Sequence, residues 1–305
     1  MRILLTNDDG IFSPALAILA KELKRIGEVC VVAPATEQSG VGQTITFLTP
    51  LTVKKVFLNG QQWGWAVNGS PVDCVKLGIY ELAGGPVDLV VSGINNGLNI
   101  GSSIMYSGTV AAALEGVYQG KTSFAISAQY HENSVDGYFG RAAALTVDFI
   151  QKILGHSQKP GELYNINFPS MVLKKPNQAP EVCVVPVDQG IYWNKYERNC
   201  EPNGSYYYWL SGRPLPQDLH GATDMGAVYH GKVTITPLRF DMTKEKMMAE
   251  MEKWNLTHEL EEARNPDSAP DADESKKCGE ENKASKTDFQ ERPNFWLTRY
   301  VNRDS

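Results

Sequence analysis

Apolar residues reach this chain in short unbroken runs separated by polar, glycine-rich loops. Residues 1–6 (MRILLT), 28–33 (EVCVVA), 88–92 (DLVVS), 123–127 (SFAIS), 163–168 (LYNINF) and 182–187 (VCVVPV) are such runs. Their length and bounding turn residues predict buried strands. Helical stripes fall between them. Leu16, Leu19, Ala20 and Leu23 follow Ser13-Pro14, a natural N-cap and first-turn pair, and stop at Gly27. Val72, Val75, Leu77, Ile79 and Leu82 follow Ser70-Pro71 and end at Gly84-Gly85-Pro86. Residues 107–118 (SGTVAAALEGVY) predict a small-residue helix lying close on a sheet, and residues 139–154 a longer helix ended by Gly155. Strands alternating with helices predict an α/β fold around parallel strands.

Two stretches depart from that alternation. Residues 40–67 predict a β-rich insertion with strands at 44–49 and 51–58, a turn at Asn59-Gly60 and a return strand at 63–67. Beyond Gly190 the chain is rich in aromatics and turns. Residues 205–210 and 230–237 read there as strands of a smaller β-rich region suited to oligomerisation. Residues 241–264 predict a polar helix whose Met247, Met248, Met251 and Trp254 suggest packing. Residues 258–290 hold five of the chain's six net negative charges and few apolar residues, the composition of a solvated linker. Phe295, Trp296 and Tyr300 then suggest a docking segment. The expected division is 1–240 and 241–305.

Composition narrows the class. At 305 residues and 42% hydrophobic the chain can build a sizeable core. A net charge of −6 gives no basic excess for a nucleic-acid partner. The first residues lack a signal-peptide core, and no run has the roughly 20 apolar residues of a membrane span. The scattered Cys30, Cys74, Cys183, Cys200 and Cys278 fit neither a disulfide framework nor a zinc knuckle. The expectation is a cytoplasmic protein with reduced thiols and no membrane partner.

Candidate chemistry concentrates after two of the predicted strands. Thr6-Asn7-Asp8-Asp9-Gly10 follows the first, and Ser92-Gly93-Ile94-Asn95-Asn96-Gly97 follows residues 88–91. Open parallel sheets gather ligands at the carboxyl ends of their strands, so the two loops can converge. Adjacent aspartates in a loop can share a hard cation such as Mg²⁺, Mn²⁺ or Ca²⁺, or form an Asx turn capped by Gly10. Asn95 and Ser39 offer neutral oxygens or serve as caps and turn residues; Asn96 and Asn99 are weaker candidates of the same kind. Ser107-Gly108-Thr109 stands at a helix start, where free N–H groups can take a phosphate or Ser107 can be an ordinary N-cap. Neither glycine-rich loop matches a dinucleotide fingerprint or a P-loop. The five histidines show no ligand spacing.

Taken together, MRILLTNDDGIFSPAL, VNGSPVDCVKLG, SGINNGLNIGSSIMYSGTVAAALEG and the segment from Thr223-Asp224 to Leu238 resemble the SurE family of metal-dependent 5′/3′-nucleotidases. The resemblance implies a Rossmann-like three-layer α/β core with a smaller β-rich extension used in oligomerisation, as homodimer or homotetramer. It implies hydrolysis of nucleoside monophosphates with one divalent cation, Mg²⁺ or Mn²⁺, per subunit. Asp8, Asp9, Ser39 and Asn95 match the family's metal positions. Asp8, Asp9 and Asn7 would be catalytic, and Ser107, Gly108, Thr109 and Asn99 would bind phosphate. Ser102 stands where many relatives have Asp. A broader phosphatase, an exopolyphosphatase or a noncatalytic nucleotide-binding oligomer is the alternative.

Overall fold

The computed structural model describes residues 1–129, 136–157, 159–175, 177–190, 195–202, 204–211, 221–254 and 256. Contacts divide the chain into two units, Met1–Met242 and Thr243–Ser305.

Eleven strands are described: β1 (Arg2–Thr6), β2 (Glu28–Pro34), β3 (Val53–Leu58), β4 (Gln61–Val67), β5 (Leu89–Asn96), β6 (Thr122–Ala128), β7 (Leu163–Phe168), β8 (Val182–Val184), β9 (Lys195–Cys200), β10 (Tyr206–Ser211) and β11 (Val233–Leu238). Seven α-helices are described beside them: α1 (Pro14–Leu23), α2 (Pro71–Leu77), α3 (Gly108–Tyr118), α4 (Asp136–His156), α5 (Ser170–Leu173), α6 (Asp224–Tyr229) and α7 (Glu245–Met251). Nine strands form one mixed sheet in the order β3-β4-β2-β1-β5-β6-β7-β11-β8. The run from β4 to β7 is parallel, while β3 and β11 pair antiparallel with its two edges. β9 and β10 make a separate antiparallel ribbon.

Alternation along β1 shows how the sheet is covered. Ile3 and Leu5 pack with Leu16 and Leu19 of α1 and Phe139 and Val147 of α4. Leu4 points the other way, into Val75 of α2 and Val90 of β5. Val110 and Val117 of α3 cover Ala125 and Leu163. Helices therefore lie on both faces, and the central strands are buried from both sides, as their unbroken apolar runs require. From β1 the chain moves to β2 on one side and later returns past it to β5 on the other. The crevice at the carboxyl ends of β1 and β5 is thus the topological switch point.

The structure corrects several expectations. Residues 44–49 are not a strand, because their backbone is engaged by α2 instead. Thr46 N–H donates to the Asp73 carboxylate at 3.0 Å, and the Ser70 hydroxyl donates to Thr44 C=O at 2.5 Å. The hairpin at Asn59-Gly60 forms, with both residues at positive φ, and it is no separate insertion: β4 joins the main sheet beside β2. β5 runs on through the segment read as a loop, with its register shifting between Ser92 and Asn95. α4 passes through Gly155 to His156. Residues 230–237 are expected in the smaller β-rich region, yet β11 pairs with β7 and β8 in the main sheet, leaving the β9–β10 ribbon apart from it among the described strands. β8 stops at Val184, two residues before Pro186, which has no N–H for a ladder. In the second unit α7 starts at Glu245, four residues after the expected start of the helix, and is followed by the turn Glu252–Trp254; residues 255 and 257–264 of the expected helix lie outside the described residues. Met248, Met251 and Trp254 are exposed, so the expected packing is not found among the described residues. Residues 258–290 and Phe295, Trp296 and Tyr300 lie outside the described residues, as does Cys278. The other four cysteines are free thiols.

Candidate active site

Three chain segments meet at the switch point. The loop after β1 is locked from within by Asn7, which is fully buried. Its Nδ2 donates to Gly10 C=O at 3.1 Å and its Oδ1 accepts Gly10 N–H at 3.2 Å. Asn7 therefore makes the Asx turn, and Asp8 and Asp9 stay free for other work. The loop after β2 is tied to it: Gln38 N–H donates to Asp8 C=O at 2.8 Å, and Ile11 N–H donates to Pro34 C=O at 2.8 Å. Ser39 lies on this second loop, exposed, with its hydroxyl donating to Glu37 Oε1 at 2.5 Å. The third segment is the end of β5, where Asn95 Nδ2 donates to Gly97 C=O at 2.8 Å.

The start of α3 packs directly on Asp8. Thr109 Oγ1 donates to Asp8 Oδ1 at 2.5 Å, and Thr109 N–H also serves the Asp8 carboxylate. Part of the helix terminus that could receive a phosphate thus already holds Asp8, favourably for the charge. Ser107 is the N-cap, accepting Val110 N–H at 3.1 Å. Gly108 permits the approach, since a Cβ there would come within 2.8 Å of Asp8 Cβ and 3.0 Å of Asp8 Oδ2. Asn99 is drawn inward instead: Nδ2 donates to Ser127 Oγ at 2.8 Å, and its N–H donates to Asn167 Oδ1 at 2.8 Å. Its C=O accepts from the amides of Asn165 and Asn167 at 2.8 and 3.1 Å.

The electrostatics ask for a cation. Asp8 is 6% exposed, and the buried Oδ2 of Asp9 has no hydrogen-bond partner. Among the described residues, no ion pair reaches either carboxylate. Burial pushes Asp9 from its ordinary 3.8 up to about 7, helped by the charges of Asp8 and Glu37. Burial also raises Asp8, against the bonds from Thr109. Two such carboxylates side by side lack a countercharge, and a divalent ion would supply it. The described residues hold no group of three or more His, Cys, Asp or Glu placed to hold a metal ion. Carboxylate, hydroxyl and amide oxygens are the available donors, which favours a hard ion over a thiophilic one. The residues fit such an ion.

The family description "Survival protein SurE" matches residues 3–189. The 5′-nucleotidase SurE of Rhodopirellula baltica is 48% identical over 84% of this chain and 99% of its own length. The chain belongs to the SurE family. Another SurE relative, the 5′-nucleotidase SurE of Syntrophomonas wolfei, is 40% identical over 83% of this chain and 94% of its own length. The crystal structure of SurE from Aquifex aeolicus superposes with a TM-score of 0.71 at 35% identity, over 83% of this chain and 99% of that one. The SurE-like sequence thus includes the NDDG loop, the β5 end and the α3 start. Sequence reasoning missed Glu37, whose charge acts on both aspartates and whose Oε1 accepts the hydrogen bond of the Ser39 hydroxyl. It also missed Asn165 and Asn167. Their spacing of two in an otherwise apolar strand was the available signal.

Proposed function

We propose that the chain is a divalent-metal-dependent nucleotidase that hydrolyses nucleoside 5′-monophosphates, and 3′-monophosphates, to nucleoside and phosphate. The observation that carries this reading is the buried Asp8 carboxylate against the start of α3, beside a half-buried Asp9 whose Oδ2 has no hydrogen-bond partner, with no cation paired to either among the described residues. Bound Mg²⁺ or Mn²⁺ would supply Lewis acidity and an acidified water there. Asp8 and Asp9 would hold the ion. Ser39 can offer oxygen lone pairs because its hydroxyl hydrogen is directed to Glu37 Oε1, and Asn95 can offer Oδ1 because its Nδ2 donates to Gly97 C=O. Asn7 fixes the loop that carries the carboxylates. Ser107 and Gly108 form the phosphate-facing turn, and Thr109 links that turn to Asp8 so that ion and phosphate are held in one frame. Asn99 supports that frame from behind.

The same reading places catalysis in residues 1–240, separate from 241–305, and assembly as a homodimer or homotetramer on the β9–β10 ribbon. The ribbon supports this because Tyr206, Tyr207, Tyr208, Trp209 and Leu210 are all exposed. No described helix is long and apolar enough to cross a membrane.

The test is phosphate release from 5′- and 3′-nucleotides, short polyphosphate and an aryl phosphate, after chelation and again with Mg²⁺ or Mn²⁺ restored. Metal-restored release strongest with a nucleotide is expected. A folded, metal-binding protein that releases phosphate from none of them would overturn the reading, and a preference for polyphosphate would move it to exopolyphosphatase.

A further inference from the structure

Asp224 lies far from the carboxylate pair in sequence, at the start of α6, and is fully buried. Three backbone N–H groups converge on its carboxylate. Gly101 donates to Oδ2 at 3.0 Å, while Asp188 and Met225 donate to Oδ1 at 2.8 and 2.7 Å. Thr223 strengthens the corner, its hydroxyl donating to Asp188 Oδ2 at 2.7 Å and accepting Gly226 N–H at 3.3 Å. Buried carboxylates satisfied by several N–H donors make strong, directional anchors. What this one anchors is the segment between Asn95 and Ser107. Gly101 opens the single turn Gly101–Met105, which leads through Tyr106 straight into the N-cap of α3. Two residues upstream, the Asn99 peptide is gripped on both its N–H and C=O by Asn165 and Asn167. The segment is thus held by side chains that arrive from more than 60 positions away.

We propose that Asp224 is a positioning residue for phosphate. By fixing Gly101 it sets where the Ser107–Thr109 turn stands relative to Asp8, without touching substrate or ion itself. The inference rests on the phosphate-binding reading of that turn. Removing the acceptor frees the Gly101 end, so the turn loses its alignment while the NDDG loop, locked by Asn7, keeps its own.

The experiment is Asp224→Asn, which keeps shape but replaces one accepting oxygen with a donor. Expected are a 10- to 100-fold fall in kcat, a comparable weakening of inhibition by inorganic phosphate, and Mn²⁺ affinity within twofold of the unaltered protein. Thr223→Val is the control. It loosens α6 but leaves the Gly101 acceptor, so it should lower the melting temperature with phosphate inhibition within twofold. A folded Asp224→Asn protein with unchanged kcat and phosphate inhibition overturns the proposal. Equal loss of phosphate inhibition in Thr223→Val, or parallel loss of Mn²⁺ affinity in Asp224→Asn, assigns Asp224 a purely structural role and overturns it too. Should Asp224→Asn not fold, amide exchange in the unaltered protein decides. The Gly101 N–H should be protected like the core strands without metal or phosphate, and rapid exchange there would overturn the anchor. Failure of the nucleotidase reading looks different: the unaltered protein would release no phosphate, while protection at Gly101 would stand.

Discussion

At the carboxyl ends of β1 and β5 the chain buries polar groups; on the β9–β10 ribbon it exposes apolar ones. The first region holds Asn7, Asp8, Thr109 and Asn99 at under a tenth of their open area, and leaves Asp9 Oδ2 without a partner. The second shows Trp209 at 67% exposure with four apolar or aromatic neighbours along the same strand. Arg198 stacks on Tyr206, with its guanidinium carbon 3.6 Å from the ring centroid, but this covers little of that surface. Both regions depart from the usual partition of polar and apolar groups, and in the isolated chain the unpartnered Asp9 Oδ2 and the exposed aromatic strip are the unfavourable parts of them. On the proposed reading each would be relieved by a different kind of partner: a small cation and an anion at the switch point, a large surface at the ribbon. Chemistry and assembly would then lie in different parts of the chain, and a substitution in one region should leave the other unchanged.

The largest effect belongs to Asp9. Asp9→Asn should lower turnover by about 10³-fold or more, because on the proposed reading it removes half of the anionic ligand pair. The metal-free protein should melt no lower than before, since a half-buried carboxylate with no countercharge disappears with it. Kinetics and thermal melts of the chelated protein check both halves. Near-normal metal-dependent turnover would remove Asp9 from the site.

Gly108→Ala comes next. Its Cβ would crowd Asp8 at 2.8 Å, pushing the carboxylate off the start of α3. A 10- to 100-fold loss of kcat/KM is expected, with roughly 1–3 kcal/mol of destabilisation from overpacking. Loss of stability with full activity would show that the Asp8–α3 contact serves only the fold.

The pH dependence of the metal-free protein sharpens the electrostatic half of the comparison. Asp9 sits near 7 in the folded chain against an ordinary 3.8. The folded state therefore holds the proton more tightly than the unfolded one. The stabilisation from this group is complete below about pH 3.8 and is lost as pH rises through about 7. Melting temperature after chelation should carry this downward contribution, and Asp9→Asn should remove it. Metal affinity runs the opposite way, rising with pH until Asp9 is ionised, because proton and cation compete for one carboxylate. An identical pH profile in the Asp9→Asn protein would assign the dependence to other groups.

How much of this was legible in the sequence follows from how far each contact reaches. Asp8 and Asp9 could be picked out because a short apolar run ends abruptly in a polar loop, a purely local signal. β7 could be read at its full length for the same reason. The extension of β5 through Gly93 and Asn95 could not. Glycine and asparagine disfavour strands locally, and pairing with β6 overrides that preference there. Nor could the fate of residues 44–49, whose threonine-rich alternation reads as strand until Asp73 and Ser70 engage their backbone. Glu37 was hidden in an ordinary turn, and Asp224 and the Asn165–Asn167 pair act on residues more than 60 positions away. The carboxylate centre is local in sequence; its supporting contacts are not.

The ribbon supplies the smallest effect on chemistry. Trp209→Glu places a charge in the exposed aromatic strip and touches nothing at the switch point. Turnover per chain should stay within twofold, and monomer stability should change by no more than about 0.5 kcal/mol, as for a surface substitution. Sedimentation should shift toward smaller species, because an interface built on exposed aromatics does not tolerate a buried unpaired carboxylate. If sedimentation is unchanged and turnover collapses instead, the two regions are coupled, and the ribbon belongs to the active site rather than to assembly.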